Sequence, residues 1–331
     1  MRQASTSLLW RSRSALALFV FAMLIAPALV SPYTLSLLII ALFAAFLGQA
    51  WNFMMGMAGQ LSLGHSLYVG LGGYASAALF VKLGIPPWLG MLVGMALSGL
   101  VGAMLAALSF RFRVTGVYFA LLTIAFAEFT RILFDHFGWV GAASGLFLPV
   151  TNAARLDLLN LRGAPGIFYY CMLALTLGSL ALGRMLLSRR IGFYWRAIRE
   201  DQIAAEALGI DIFRYKIMAV ALSAAMTAIG GAFLAFYDNN LYPDTAFSTA
   251  RSVEMIVAPI VGGIGTLFGP ILGAFVLTAL GELTTRAAEF FGVNGLKQLL
   301  YGGLLLIMVG LQPQGLWPWL RLRLGLGVRT P

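Results

Sequence analysis

Long apolar runs alternate with short polar punctuation along almost the whole chain. Ten such segments can be read: 14–31, 34–55, 64–82, 87–109, 114–137, 167–187, 215–238, 251–264, 267–286 and 295–312. A helix needs about 20 apolar residues to cross the hydrocarbon core of a bilayer. The eighth segment is too short to span alone, and is expected to enter, break and pair with the ninth. None of the runs alternates apolar with polar residues, which excludes β-barrel strands. The pattern therefore predicts an all-α polytopic membrane protein of about ten transmembrane segments (8–10), a single domain over 1–331 with both termini on one side.

Composition agrees. Apolar residues make up 60% of the 331 and charged residues 10%, against about 25% charged in a soluble domain. The lone Cys171 rules out an intrachain disulfide and any cysteine-rich metal site. The net charge of +10 sits in short clusters between the apolar runs, such as Arg111 and Arg113 or Arg189 to Arg199. It forms no basic stripe with interleaved aromatics, so nucleic acid is not an expected partner. Fifteen arginines and lysines fall on the side of the termini and six on the other, with Arg131 inside a span. The excess places both termini in the cytoplasm. The start of the chain imitates a signal peptide, with Ala26-Pro27-Ala28 after an apolar stretch. A second span follows at once, which favours an uncleaved first helix.

Catalytic chemistry is hard to place. The three lysines, Lys82, Lys216 and Lys297, all lack the Gly-Lys-Ser/Thr context of a phosphate-binding loop. No metal-binding histidine spacing exists, because His65 and His136 are the only histidines. No Gly-x-Ser-x-Gly elbow occurs. The chain is expected to hold no catalytic residue, metal or cofactor. ATP-driven work would need a second chain to bind ATP and Mg.

Two interruptions stand out at membrane depth. Gly56 to Ser66 and Gly262 to Pro270 each break apolar helices with glycines and small polar residues, and each lies between an inward and an outward segment. Leu61-Ser62-Leu63-Gly64 and Thr266-Leu267-Phe268-Gly269 suggest a weak internal repeat. Paired interruptions in two halves point to a translocation path. The alternative is a pair of ordinary tight turns. Gly90 with Gly94, Ser98 with Gly102 and Gly269 with Gly273 fit small-residue helix-packing faces. Glu128 with Arg131, Arg251 with Glu254, and Glu282 with Arg286 read as structural ion pairs.

The longest inner loop, 188–214, is the most informative polar stretch. Glu200 and Asp201 suit a helix N-terminus and Gly209 a C-terminal cap. Ile203, Ala204, Ala207 and Leu208 share a face. The spacing predicts a short amphipathic helix over 201–209, lying on the bilayer or in a groove of a partner.

Here the chain resembles a known family. The run Ala204-Ala205-Glu206-Ala207-Leu208-Gly209-Ile210, upstream of Ala228-Ile229-Gly230-Gly231-Ala232, looks like the coupling loop of ATP-binding-cassette importer permeases. Gly59-Gln60-Leu61-Ser62-Leu63-Gly64-His65, Gly116 to Thr123 and Gly262 to Pro270 resemble the branched-chain amino-acid (leucine/isoleucine/valine) permeases. Order and spacing agree from roughly residue 34 to 312. Urea and short-amide permeases share these motifs. The resemblance implies a type II importer-like permease in a bacterial inner membrane. It implies a heterodimer with a sister permease, two cytoplasmic ATPase subunits that hold ATP and Mg, and a periplasmic substrate-binding protein. Residues 204–210 would then couple to the ATPase.

Position supplies candidates for the path or gate: Asn52, Gln60, Ser62, His65, Tyr118 and Thr123. Each also reads as a helix–helix hydrogen bond. The core near them lacks charge, which suits a carrier with only a weak site of its own. A stand-alone secondary transporter is the rival, and would need buried acids at the midplane. Glu128 and Glu254 are its only candidates.

Overall fold

The computed structural model describes residues 23–149, 157, 159–292 and 296–323. Helix α1 (Pro32–Asn52) starts where Ser31 Oγ accepts from Thr34 N at 3.3 Å and Pro32 fills the first turn. It runs on as a π turn over Phe53–Met57. Then come α2 (Ser66–Leu83), α3 (Pro87–Arg111), α4 (Val117–His136) and α5 (Pro165–Ser188). Two short helices follow, α6 (Arg190–Glu200) and α7 (Gln202–Ala207). The last set is α8 (Ile212–Asp238), α9 (Thr249–Gly262), α10 (Gly269–Phe291), α11 (Leu296–Leu311) and α12 (Leu316–Arg323).

Seven helices among the described residues are long and apolar enough to cross a membrane: α1 with its π turn, α2, α3, α4, α5, α8 and α10. That is fewer than the ten segments read from the sequence. Half of segment 14–31 lies outside the described residues, with 23–29 helical. The eighth and tenth segments are helices of 14 and 16 residues, too short for a straight span. As anticipated, the 14-residue α9 breaks at Gly263 and packs back against α10.

Small residues set the helix spacing. A Cβ at Gly72 would lie 2.1 Å from Ala228 O, and one at Gly231 2.0 Å from Val69 O, so α2 and α8 meet backbone to backbone. The predicted glycine faces pack in the same way. A Cβ at Gly90 would lie 2.7 Å from Ser76 Oγ, and one at Gly273 1.9 Å from Ala258 O. α1, α2 and α8 form the buried centre, while α4 and α10 turn most of their surface outward.

The loop after α4 is held at the end of the bundle remote from α6 and α7. Two 3₁₀ turns precede a two-residue strand, β1 (Leu146–Phe147), which pairs antiparallel with β2 (Asn240–Leu241). Arg162 lies buried between the rings of Phe80 and Phe236 and donates to Asn239 Oδ1. Desolvation lowers its guanidinium from its ordinary value.

Candidate functional site

The two glycine breaks, far apart in sequence, are in direct contact. Asn52, on the last turn of α1, is fully buried. Its Nδ2 donates to Thr266 O at 2.9 Å, and its Oδ1 accepts from Gly265 N at 2.8 Å. One turn earlier, Gln49 Nε2 donates to Leu267 O at 2.7 Å. The loop between α9 and α10 thus finds its backbone partners on the side chains of α1. Irregular backbone in a membrane protein needs such partners from the protein itself. Gly265 has φ +78, and a Cβ there would stand 2.7 Å from Gly56 O and 2.1 Å from an Arg199 guanidinium nitrogen. Only glycine fits that seam.

The first break is equally buried. Ser62 is 1% exposed, Gln60 3% and His65 0%. Trp51 Nε1 donates to Ser62 O at 2.9 Å, and Gln60 Nε2 to Ala58 O at 2.8 Å. His65 lies between Ser62 Oγ at 3.2 Å and Ser223 Oγ at 2.8 Å. Ser223 gives its one hydroxyl proton to Ala50 O at 2.7 Å, so the bond to His65 is donated by Nε2–H. Thr123 Oγ1 accepts from Leu63 N at 3.2 Å, bracing the break from α4. Ser66 N donates to Ser252 Oγ at 2.9 Å, which ties the same stretch to α9.

Five of the six residues read as path or gate candidates therefore converge: Asn52, Gln60, Ser62, His65 and Thr123. Tyr118 does not. It is 76% exposed on the first turn of α4 and faces away from the bundle. Its apparent place inside a span came from the surrounding apolar run, which does not reveal which face of a helix turns inward.

The predicted short helix, α7, follows α6 and packs on α6 and the start of α8. α7 covers Gln202–Ala207, inside the expected 201–209. Asp201 Oδ1 accepts from Ile203 N at 2.8 Å and Ala204 N at 3.0 Å. At the other end Gly209, with φ +81, lets Ile210 N reach Ala205 O at 3.1 Å and Gly209 N reach Glu206 O at 2.9 Å. That is the paired capping pattern of a left-handed glycine terminus. Ala205 is buried, while Ala204, Glu206 and Ala207 are exposed. Ile203 and Leu208 are each 81% exposed, an apolar pair presented outward. Glu200 does not start this helix; it closes the separate α6, which the sequence left undivided. α6 is anchored by buried Trp195, whose Nε1 donates to Tyr215 O at 2.9 Å, and by buried Ile198.

Two features escaped the sequence. Arg199, at the end of α6, donates to Gly56 O at 2.5 Å and so touches the first break; in the sequence it is one arginine in a basic cluster. Gln49 sits three residues before Asn52 on an otherwise apolar helix, and that spacing was the available clue. The predicted ion pairs are present: Arg131–Glu128 at 2.6 Å, Arg251–Glu254 at 3.1 Å and Arg286–Glu282 at 2.6 Å, with Asp135 as a second partner of Arg131 at 2.8 Å. The bundle also carries a cleft of about 820 Å³ between α1, α8, α9, α10 and α11. Asp238, Arg251, Glu254 and Glu282 line it, and Arg199 brings a charge to the first break itself, so the core is not as free of charge as the sequence suggests. None of the six path candidates borders it. Among the described residues, no group of three or more His, Cys, Asp or Glu is arranged to hold a metal.

Apolar spanning helices interrupted by buried, mutually bonded breaks define a polytopic membrane permease. The chain belongs to the family described as "Branched-chain amino acid transport system / permease component", whose profile matches residues 33–309. This is a transport family and not a class of enzymes. The high-affinity branched-chain amino acid transport system permease protein LivM of Escherichia coli K12 is 29% identical over 321 residues, covering 91% of this chain and 73% of that protein. The probable branched-chain amino acid transport permease protein LivH of Methanocaldococcus jannaschii is 26% identical, over 73% of this chain and 76% of its own. An autoinducer 2 import system permease protein, LsrC of an Enterobacter strain, is 26% identical over 57% of this chain and 54% of its own. No solved structure matches.

Proposed function

We propose that the chain is the membrane-spanning subunit of an ATP-binding-cassette importer for branched-chain amino acids in a bacterial inner membrane. A sister permease completes the pathway across a heterodimer. Two cytoplasmic ATPase subunits bind ATP and Mg. A periplasmic binding protein delivers the amino acid. Both termini and α6–α7 face the cytoplasm, as the basic loops require, and lipid surrounds the outward apolar faces. The observation that carries the reading is α7. It is a capped helix at the same end of the bundle as both breaks, with Ile203 and Leu208 each 81% exposed. An exposed apolar pair on a short helix suits insertion into a partner's groove.

Leu208→Asp tests the reading in the assembled transporter. The change puts a charge into the proposed groove while leaving the caps of α7 intact. ATP-driven uptake of leucine into proteoliposomes should fall and the ATPase should no longer copurify, with membrane insertion unchanged. Normal uptake and normal copurification would contradict the docking. Because a relative named for autoinducer 2 import also matches, the cargo is assigned by ligand binding to the cognate periplasmic protein.

A further inference from the structure

We infer that Arg199 is a coupling latch: a positioning residue whose guanidinium bonds the first helix break where it meets the second, and leaves that seam when α7 is moved. The inference rests on the docking role proposed for α7 and adds the route by which that docking reaches the gate.

The geometry begins with an orphan carbonyl. α1 ends in a π turn at Met57, and the carbonyls of a last turn have no partners within their own helix. Gly56 O is given one by Arg199. A charged donor makes a stronger bond than a neutral one. The same guanidinium stands against the second break, because its nitrogen is the nearest atom to a Cβ placed on Gly265, at 2.1 Å. The Arg199 backbone also approaches the first break, with its Cα 3.2 Å from a Cβ placed on Gly59. One side chain therefore occupies the seam where Gly56 and Gly265 meet. Asn52 bonds the second break beside that seam, through Gly265 N and Thr266 O.

The other end of the lever is α7. A single residue, Asp201, separates it from α6. Its backbone N donates to Ala197 O at 3.0 Å, and its side chain caps α7. Displacing α7 therefore pulls on the turn that carries Arg199. Buried Trp195 and Ile198 fix the middle of α6 as a fulcrum. Withdrawing the guanidinium strips Gly56 O of its donor and empties the space beside Gly265. Asn52 and Gln49 then remain as the α1 side chains bonded to the second break.

The test uses the whole complex with its binding protein in proteoliposomes, reading amino-acid uptake per ATP hydrolysed. Arg199→Gln should keep assembly and ATPase turnover but lower uptake per ATP about tenfold or more, since a charge-assisted bond is lost. Arg199→Lys, which retains a charged donor for Gly56 O, should restore most of the ratio. Unchanged uptake per ATP in Arg199→Gln would overturn the latch. So would loss of assembly or of ATPase turnover, which would make Arg199 a structural brace. A parent complex without ATP-driven uptake would defeat the functional reading and the latch with it. A working parent with an indifferent variant would defeat the latch alone.

Discussion

Asn52 and Gly265, more than two hundred positions apart, are joined by a 2.8 Å hydrogen bond from the Gly265 backbone N–H to Asn52 Oδ1. The Asn52 amide answers with its own donor to Thr266 O. A side-chain amide here completes the hydrogen bonding of a loop that has no helix of its own.

Asn52→Asp keeps the acceptor and removes the donor. It also sets a carboxylate oxygen against Thr266 O. Leaving a buried carbonyl unpaired costs about 1–3 kcal/mol, although hydrogen bonds in membrane proteins average nearer 0.6 kcal/mol. We expect a lower unfolding temperature of the purified permease and reduced uptake, with normal membrane insertion. Fluorescence-based thermal unfolding in detergent measures the first. An unchanged unfolding temperature would show that the amide bonds contribute nothing to holding the loop.

Gly209→Val probes the cap of α7. A β-branched residue at φ +81 is strained, by about 1–2 kcal/mol for a left-handed residue with a side chain. The helix should fray at its C-terminal end and blur the Ile203–Leu208 pair. The expected readout is weaker copurification of the ATPase subunits with no change in permease yield. Full copurification would mean that α7 docks without its cap.

Much of this arrangement is legible in the sequence, and the reasons are local. Asp201 and Gly209 bracket α7 because caps depend on residues a few positions away. The breaks at 56–66 and 262–270 declare themselves through glycine clusters inside apolar runs. What the sequence does not carry is facing. Tyr118 and Thr123 lie five residues apart on α4, yet one is 76% and the other 2% exposed. The apolar composition is similar on both sides, because lipid and core favour the same residues. The link between Arg199 and Gly56 is also invisible, since it depends on how α6 packs and not on its own pattern.

Helix packing can be tested at a pair of glycines. A Cβ at Gly273 would stand 1.9 Å from Ala258 O, so Gly273→Val must push α9 and α10 apart. Overpacking of this kind costs about 1–3 kcal/mol. Gly178 has nothing within 4 Å of a Cβ placed on it. Gly178→Ala should therefore be neutral or stabilising, by about 0.5–1 kcal/mol. Gly273→Val should lower the unfolding temperature and Gly178→Ala should not; equal losses would refute the close approach of α9 and α10.

The stand-alone transporter makes a different demand on the acidic residues. Glu128 and Glu254 are 47% and 68% exposed and pair with Arg131 and Arg251 three residues away. Exposed pairs of this kind contribute about 0–1 kcal/mol. Glu128→Gln and Glu254→Gln should each retain most of the uptake, and a protonophore should not abolish it while ATP is present. Loss of uptake in either variant, together with collapse on dissipating the proton gradient, would favour ion coupling.

On this reading the two breaks form one gate governed by the ATPase cycle. Ser62, now 1% exposed, reports on it most directly. A cysteine at Ser62, in a chain carrying Cys171→Ala, is treated with a small thiol reagent in the assembled transporter with and without nucleotide. Labelling should be fast in some nucleotide states and blocked in others. Equal, fast labelling in every state would mean that the break is an ordinary solvated turn, and would contradict the gate.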